Sequence, residues 1–156
     1  MNSVMFSMCN TDAKPPTRGT PGSAGFDLYS AKNYMIRPHC RQICSTGIEI
    51  IMPKGFYGRL ADLSSLALLK GLMIAGGVID SDYDGEILVL LVNTSTEDVT
   101  ISKGDRIAQI VIETYLIDDP MIISSYLRDS ILRLNNRSRQ GFGVQDTRLL
   151  PDTNKN

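Results

Sequence analysis

Between Ile79 and Ile87 the chain crowds four carboxylates into one short stretch, Asp80-Ser81-Asp82-Tyr83-Asp84-Gly85-Glu86. Acids at that density could hold a cation, move a proton or simply face solvent in a turn. Read as a calcium loop, the stretch starts correctly, with acids at its first, third and fifth positions and glycine at the sixth. The twelfth position should supply a bidentate glutamate, and it is Leu91. The flanking runs, Leu72 to Ile79 and Ile87 to Val92, are short and apolar, as strands are and EF-hand helices are not. A β-hairpin fits better. Gly76-Gly77 would allow close backbone approach, and Asp84-Gly85 would make the turn. Asp80 at a strand end could then activate water, with Tyr83 packing on a flat ligand. A solvated acidic turn covered by a tyrosine satisfies the same spacing.

Few other residues compete for the chemistry. His39 is the one histidine, and it lies in the turn-like Arg37-Pro38-His39, a poor place for the base of a nucleophilic triad. Cys9, Cys40 and Cys44 lack the number and spacing of a zinc site. An odd cysteine count without a secretory leader reads as reduced thiols, so the protein is expected to be intracellular. If it is an enzyme, a carboxylate handles the proton.

Charge narrows the partners. Lys and Arg number 16 against 17 Asp and Glu, a net charge of −1, without the cationic surplus that non-specific nucleic-acid binding requires. The distribution is uneven. Gly71 to Ser102 holds six acids and no base, whereas Arg128, Arg133, Arg137, Arg139 and Arg148 gather at the C-terminal end. Those arginines suit either a small anion or a solvated tail. The longest aliphatic run, Ile87 to Val92, is far short of the roughly 20 residues that cross a bilayer, so no membrane partner is expected.

The elements that must position these groups are short. Residues 1–23 are rich in Pro, Gly, Thr and Ser and read as an irregular arm. Apolar runs follow at Phe26 to Ala31, Gln42 to Met52, Phe56 to Ala61, Leu72 to Ile79, Ile87 to Val92, Val99 to Ile101 and Ile107 to Tyr115. Turn signals such as Pro53-Lys54-Gly55 and Lys103-Gly104-Asp105 separate them. Many short strands at this spacing indicate an all-β sandwich or barrel. Ser64 to Lys70 is the one helical candidate. Residues 24–134 form the expected β domain, and 135–156 a polar C-terminal arm.

Three segments carry a family resemblance. Ala24-Gly25-Phe26-Asp27-Leu28-Tyr29-Ser30-Ala31, Gly77-Val78-Ile79-Asp80-Ser81-Asp82-Tyr83-Asp84-Gly85 and Gly104-Asp105-Arg106-Ile107-Ala108-Gln109-Ile110 resemble the first, third and fourth motifs of the homotrimeric deoxyuridine triphosphate nucleotidohydrolases, the dUTPases. They occur in family order and at family spacing. Two further motifs are altered. Where the second reads Pro-Arg-Ser-Gly-Leu, this chain has Asp62-Leu63-Ser64-Ser65-Leu66. The fifth keeps Arg137, Gly141, Phe142 and Gly143 but continues Val144-Gln145, without the hydroxyls that hold a terminal phosphate.

The resemblance implies a β jelly roll assembled as a homotrimer, with each site between subunits and closed by a neighbour's C-terminal arm. It implies Mg²⁺-dependent hydrolysis of dUTP to dUMP and pyrophosphate. Asp80 would activate water for attack at the α-phosphate, and Tyr83 would stack beneath the deoxyribose. The backbone around Gly77 and Ile79 would read uracil. Ser64, Ser65 and Gln109 would face phosphate, Gln109 also reaching the catalytic water. Arg137, Phe142 and Gly143 would close the arm over the nucleotide, and Asp27 would hold the magnesium through water. Both altered motifs strike triphosphate binding. The rival reading is therefore a degenerate relative that binds a nucleotide or a protein partner with little turnover. A related deaminase acting on dCTP shares the jelly roll, but nothing in the hairpin favours it.

Overall fold

The computed structural model describes residues 3–134. These residues fall into two units, one ending at Ile117 and the other beginning at Asp118. The first unit is built from eleven strands and one helix: β1 (Met5–Met8), β2 (Gly25–Tyr29), β3 (Tyr34–Ile36), β4 (Arg41–Ser45), β5 (Ile48–Ile51), β6 (Phe56–Ala61), α1 (Ser64–Lys70), β7 (Leu72–Ala75), β8 (Val78–Ile79), β9 (Leu88–Asn93), β10 (Val99–Ile101) and β11 (Arg106–Thr114). The second unit contains α2 (Ser125–Leu134).

All strand pairs are antiparallel. One sheet runs β2-β11-β6-β8, another β4-β9-β7, and the pairs β1-β5 and β10-β3 complete the framework. Neighbours are mostly distant in sequence, as in a jelly roll. Alternate residues of the strands meet in one core, where Leu28, Ile36, Ile48, Leu72, Ile87, Leu91, Ile101, Ile107 and Ile110 are almost wholly buried. The expected all-β class and the short helix are both present.

Several boundaries differ from the sequence reading, for local reasons. The N-terminal arm is not irregular throughout: β1 pairs with β5 from Met5↔Ile51 to Met8↔Ile48. Phe6 anchors it edge-on against Phe26, with ring centroids 5.4 Å apart. The run Gln42 to Met52 breaks into β4 and β5 at Gly47, whose φ of +68° is a left-handed conformation that other residues resist. Leu72 to Ile79 breaks likewise at Gly76, with φ +61°. There β7 stays with β9, whereas β8 crosses to β6, so the acidic stretch connects two sheets rather than capping a simple hairpin. β3 and α2 were not expected. The second unit begins at Asp118, ahead of the arm boundary expected at 135. Among the described residues, no helix is long and apolar enough to cross a membrane.

Buried polar groups are all partnered among the described residues. Asn93 is the clearest case. Its Nδ2 donates to the carbonyls of Ile36 and Glu97, while its Oδ1 accepts from the backbone N–H and hydroxyl of Ser95. That satisfies all four positions of a fully buried amide. Cys44, on β4 opposite Val89, is a free and wholly buried thiol, whereas Cys9 and Cys40 are exposed.

Candidate active site

The first and fourth resembling segments meet on one row of the four-stranded sheet, and β6 beside them leads into the altered second one. Gln109 in β11 lies opposite Asp27 in β2 on one side and opposite Ala61 in β6 on the other. Paired residues project to the same face, so these strands set the first and fourth segments side by side, with the second beginning one residue past Ala61. The amide of Gln109 makes the junction: its Nε2 donates to the Asp62 carbonyl at 3.2 Å. Its Oε1 lies so close to Gly25 that a β-carbon there would stand 2.9 Å from it. Asp62 in turn accepts from the Ile74 N–H at 2.7 Å, tying the turn to β7.

That turn enters α1. Leu63 is its N-cap and supplies no side-chain hydrogen bond, while its carbonyl accepts from the Leu66 and Ala67 N–H groups. Ser64 and Ser65 are exposed on the first turn, and Leu63 itself is half-buried. An uncharged, half-buried side chain thus stands where the resembling family has arginine.

Asp27 is buried, yet its carboxylate is engaged. Arg106 Nη1 approaches Oδ2 at 3.1 Å from a side chain 56% exposed. The two line a polar cavity of about 500 Å³ together with Lys14 and Arg18. Arg106 also lines a smaller hollow beside Leu63 and Ser65. The sequence reading did not single out Arg106, although it lies three residues before Gln109 within the fourth segment.

A magnesium ion can be tested against this chemistry. Among the described residues, no three His, Cys, Asp or Glu side chains are grouped to hold a metal. Mg²⁺ commonly keeps several waters and takes one or two carboxylates plus substrate phosphates. One carboxylate such as Asp27 therefore fits an ion carried in by a triphosphate, and does not fit a protein-only cage.

The acidic stretch is organised by turns. Asp80 to Tyr83 forms a β-turn closed by the Tyr83 N–H to the Asp80 carbonyl at 3.1 Å. The turn therefore falls at Ser81-Asp82, not at Asp84-Gly85. Gly85 has another use: a β-carbon there would stand 2.9 Å from the Tyr83 hydroxyl, so glycine lets the ring fold back. The Tyr83 hydroxyl then donates to the Glu86 carbonyl at 2.8 Å. Glu86 itself is the anchor, its Oε1 accepting from Ser45 Oγ at 2.5 Å and the Gly47 N–H at 2.6 Å. Glycine at 77 answers a different contact, since a β-carbon there would stand 2.8 Å from the Leu60 carbonyl. Ile79 is buried beneath this segment.

Asp80 is exposed at the mouth of a cavity of about 970 Å³ that Lys54, Tyr57 and Tyr115 also line. Tyr57 is already committed, donating to Glu113 at 2.5 Å, while Arg59 grips the same carboxylate at 2.6 Å. The Arg59 guanidinium and then the Tyr57 hydroxyl hold the Glu113 carboxyl down at about 2.

One chain does not unite all these groups. Gln109 pairs with Ala61 at the end of β6, whereas Ile79 pairs with Gly58 and sets Asp80 beside Tyr57. Tyr57 and Ala61 are four residues apart, about 13 Å along a strand. Asp27, Gln109, Ser64 and Ser65 make one group, Asp80 and Tyr83 another. Arg137, Phe142 and Gly143 lie outside the described residues.

The dUTPase family profile matches residues 11–143. The chain belongs to the dUTPase family. It is 46% identical over 140 residues to the deoxyuridine 5'-triphosphate nucleotidohydrolase of Vaccinia virus (strain Copenhagen), covering 90% of each chain. It is 38% identical over 147 residues to that of Paramecium bursaria Chlorella virus 1, covering 94% of this chain and 99% of the other. The Kluyveromyces lactis enzyme of the same name is 36% identical over 142 residues, covering 91% and 93%. Among solved structures, a mutant dUTPase from phage phi11 of S. aureus, described with a structural Mg(II) ion, superposes with a TM-score of 0.74 at 21% identity. That match covers 78% of this chain and 97% of the phage chain, and it shows the shared fold of a dUTPase.

Proposed function

We propose that this protein hydrolyses dUTP to dUMP and pyrophosphate inside the cell, as a homotrimer whose sites are shared between copies. The observation that carries the reading is the row Asp27–Gln109–Ala61, which sets the first and fourth motifs side by side on adjacent strands, with the altered second motif beginning at the next residue, Asp62. The roughly 13 Å between that row and Asp80 supports a shared site, since a second copy can bring its own Asp80 where the first cannot.

In this reading Asp80 accepts a proton from the attacking water, which adds to the α-phosphorus as pyrophosphate leaves, with no covalent intermediate. Its exposed position at a strand end leaves it room to reach that water. Tyr83, held back over Gly85, offers its ring face to the deoxyribose, and the backbone at Gly77 and Ile79 reads the base. Ser64, Ser65 and Gln109 hold phosphate oxygens. Arg137, Phe142 and Gly143 complete the enclosure from the C-terminal arm of a neighbour. Asp27 would hold Mg²⁺ through water, the ion supplying charge neutralisation on the triphosphate. The domain division is an N-terminal arm, a β domain and a closing arm.

Pyrophosphate release measured across dUTP, dCTP, dTTP and UTP tests the reading. Release from dUTP alone is the expected outcome, and release from none, or equally from all four, overturns it. One observation favours a second reading: Leu63 leaves the second motif without a cation. In a binding protein of that kind, calorimetry would detect a non-hydrolysable dUTP analogue while the release assay stayed silent.

A further inference from the structure

We infer that Tyr115 is a positioning residue for Asp80: bonded to the Ser81 hydroxyl, it sets the turn from which that carboxylate faces its cavity. The inference rests on the reading of Asp80 as the base. Asp80 needs outside help to hold one position. β8, which leads into it, is two residues long and meets β6 only through Val78 and Ile79. Among the described residues, nothing hydrogen-bonds the exposed Asp80 side chain. One backbone bond, from the Tyr83 N–H, closes its turn. The Glu86 anchor acts at the far end of the segment. A carboxylate held so lightly samples several directions, and a base displaced by about 1 Å loses rate.

The missing support comes from β11. The Ser81 and Tyr115 hydroxyls share a hydrogen bond of 3.3 Å across 34 positions of sequence. Ser81 follows Asp80 directly within the turn, so fixing its side chain steadies the peptide that joins the two. Tyr115 is itself firmly placed. Its N–H donates to the Gly55 carbonyl at 3.0 Å, one step past the β11–β6 ladder. Two residues earlier, Glu113 is gripped by Tyr57 and Arg59 of the neighbouring strand. Residues two apart on a strand share a face, so Tyr115 leaves the sheet on the clamped side. There it lines the same cavity as Tyr57, Ser81 and Asp80. The Arg59–Glu113–Tyr57 cluster, which takes no part in the proposed chemistry, thereby gains a role: it steadies the end of β11 from which Tyr115 reaches. Tyr115 is 42% exposed and lies outside the core, so its hydroxyl, more than its packing, is what the turn uses.

Steady-state kinetics on dUTP with the full-length chain tests the inference. Tyr115→Phe keeps the ring and removes the hydroxyl, and Ser81→Ala removes its partner. Each should lower kcat by about 2- to 12-fold, the worth of one hydrogen bond, with KM and melting temperature unchanged. The double variant should be no slower than either single one, because the two hydroxyls act only through each other. Ser81→Thr keeps a hydroxyl and should retain the wild-type kcat. A wild type that releases no pyrophosphate overturns the hydrolysis reading and this inference together. An active wild type whose Asp80→Asn variant turns over at full rate overturns the reading of Asp80 as base, and this inference with it. Where Asp80→Asn is slow but both hydroxyl variants keep kcat, the inference alone is overturned. Single-variant effects that multiply in the double variant do the same. So does a loss confined to Tyr115→Phe, since that hydroxyl would then act on the substrate directly. A raised KM or a lowered melting temperature also overturns it, because the bond would then hold the nucleotide or the fold.

Discussion

The two ends of β6 are held in different ways. At the Ala61 end, side chains tie strands to one another: Gln109 to the Asp62 carbonyl, Asp62 to the Ile74 N–H, Arg106 to Asp27. At the other end the acidic segment is tied mainly to itself and to the β4–β5 turn, through Tyr83 and Glu86. The first end has a cross-strand scaffold but has lost a cation at Leu63. The second keeps every local fit that its motif requires, down to the glycine beneath Tyr83. If the residues around Ser64 grip phosphate as proposed, the alteration at Leu63 weakens binding and leaves the chemistry around Asp80 intact.

Removing the base is the sharpest way to break that contrast. Asp80→Asn keeps the turn but loses the proton acceptor, so kcat should fall by about 10²–10⁴ while a non-hydrolysable dUTP analogue binds as before. Undiminished turnover would remove Asp80 from the mechanism. Restoring the lost cation works from the other end. Leu63→Arg should raise kcat/KM by about 10- to 150-fold through a charge-assisted hydrogen bond to phosphate. Unchanged kinetics with a lower melting temperature would instead mean that the half-buried leucine belongs to the packing.

Loosening the acidic segment's anchor should cost less. Glu86→Ala strips two hydrogen bonds from the β4–β5 turn and should destabilise the fold by about 2 kcal/mol in denaturant titrations. A change confined to activity would show that Glu86 positions the acidic segment without holding the sheet. The smallest effect is pH-dependent. Glu113 is held at about 2 by Arg59 and Tyr57, below its ordinary 4.5, so its stabilisation is complete above about 4.5 and disappears as pH falls toward 2. The melting-temperature gap between wild type and Glu113→Gln should therefore be constant at neutral pH and close between pH 4.5 and 2. The gap will be small, because Arg59 is solvent-exposed and Glu113 only partly buried. A gap that persists at pH 2 would mean the carboxylate charge is irrelevant.

What could be read from sequence was local. Strand runs, the helix at Ser64 and three motifs all lie within short windows where alternation and turn residues speak directly. What escaped depends on partners far along the chain. The Arg106–Asp27 pair spans 79 positions, and nothing near either residue announces the other. Glu86 looked like one acid among four until the β4–β5 turn was placed beside it. Strand breaks at Gly47 and Gly76 were invisible because apolar patterning runs straight through them, and only the backbone angle shows the change of direction. β1 escaped because four residues in a Pro- and Gly-rich arm become a strand only when β5 offers them an edge.

Cys44 gives the molecule a clock. Burial pushes its thiol up to about 11, so near pH 8 few molecules with the sheet closed carry a thiolate there. Cys9 and Cys40 stand exposed and should react with a maleimide at once. Modification of the third cysteine must wait until β4 parts from β9, and its rate counts how often that sheet opens. Denaturant added below the unfolding midpoint should speed that clock before the fold as a whole is lost.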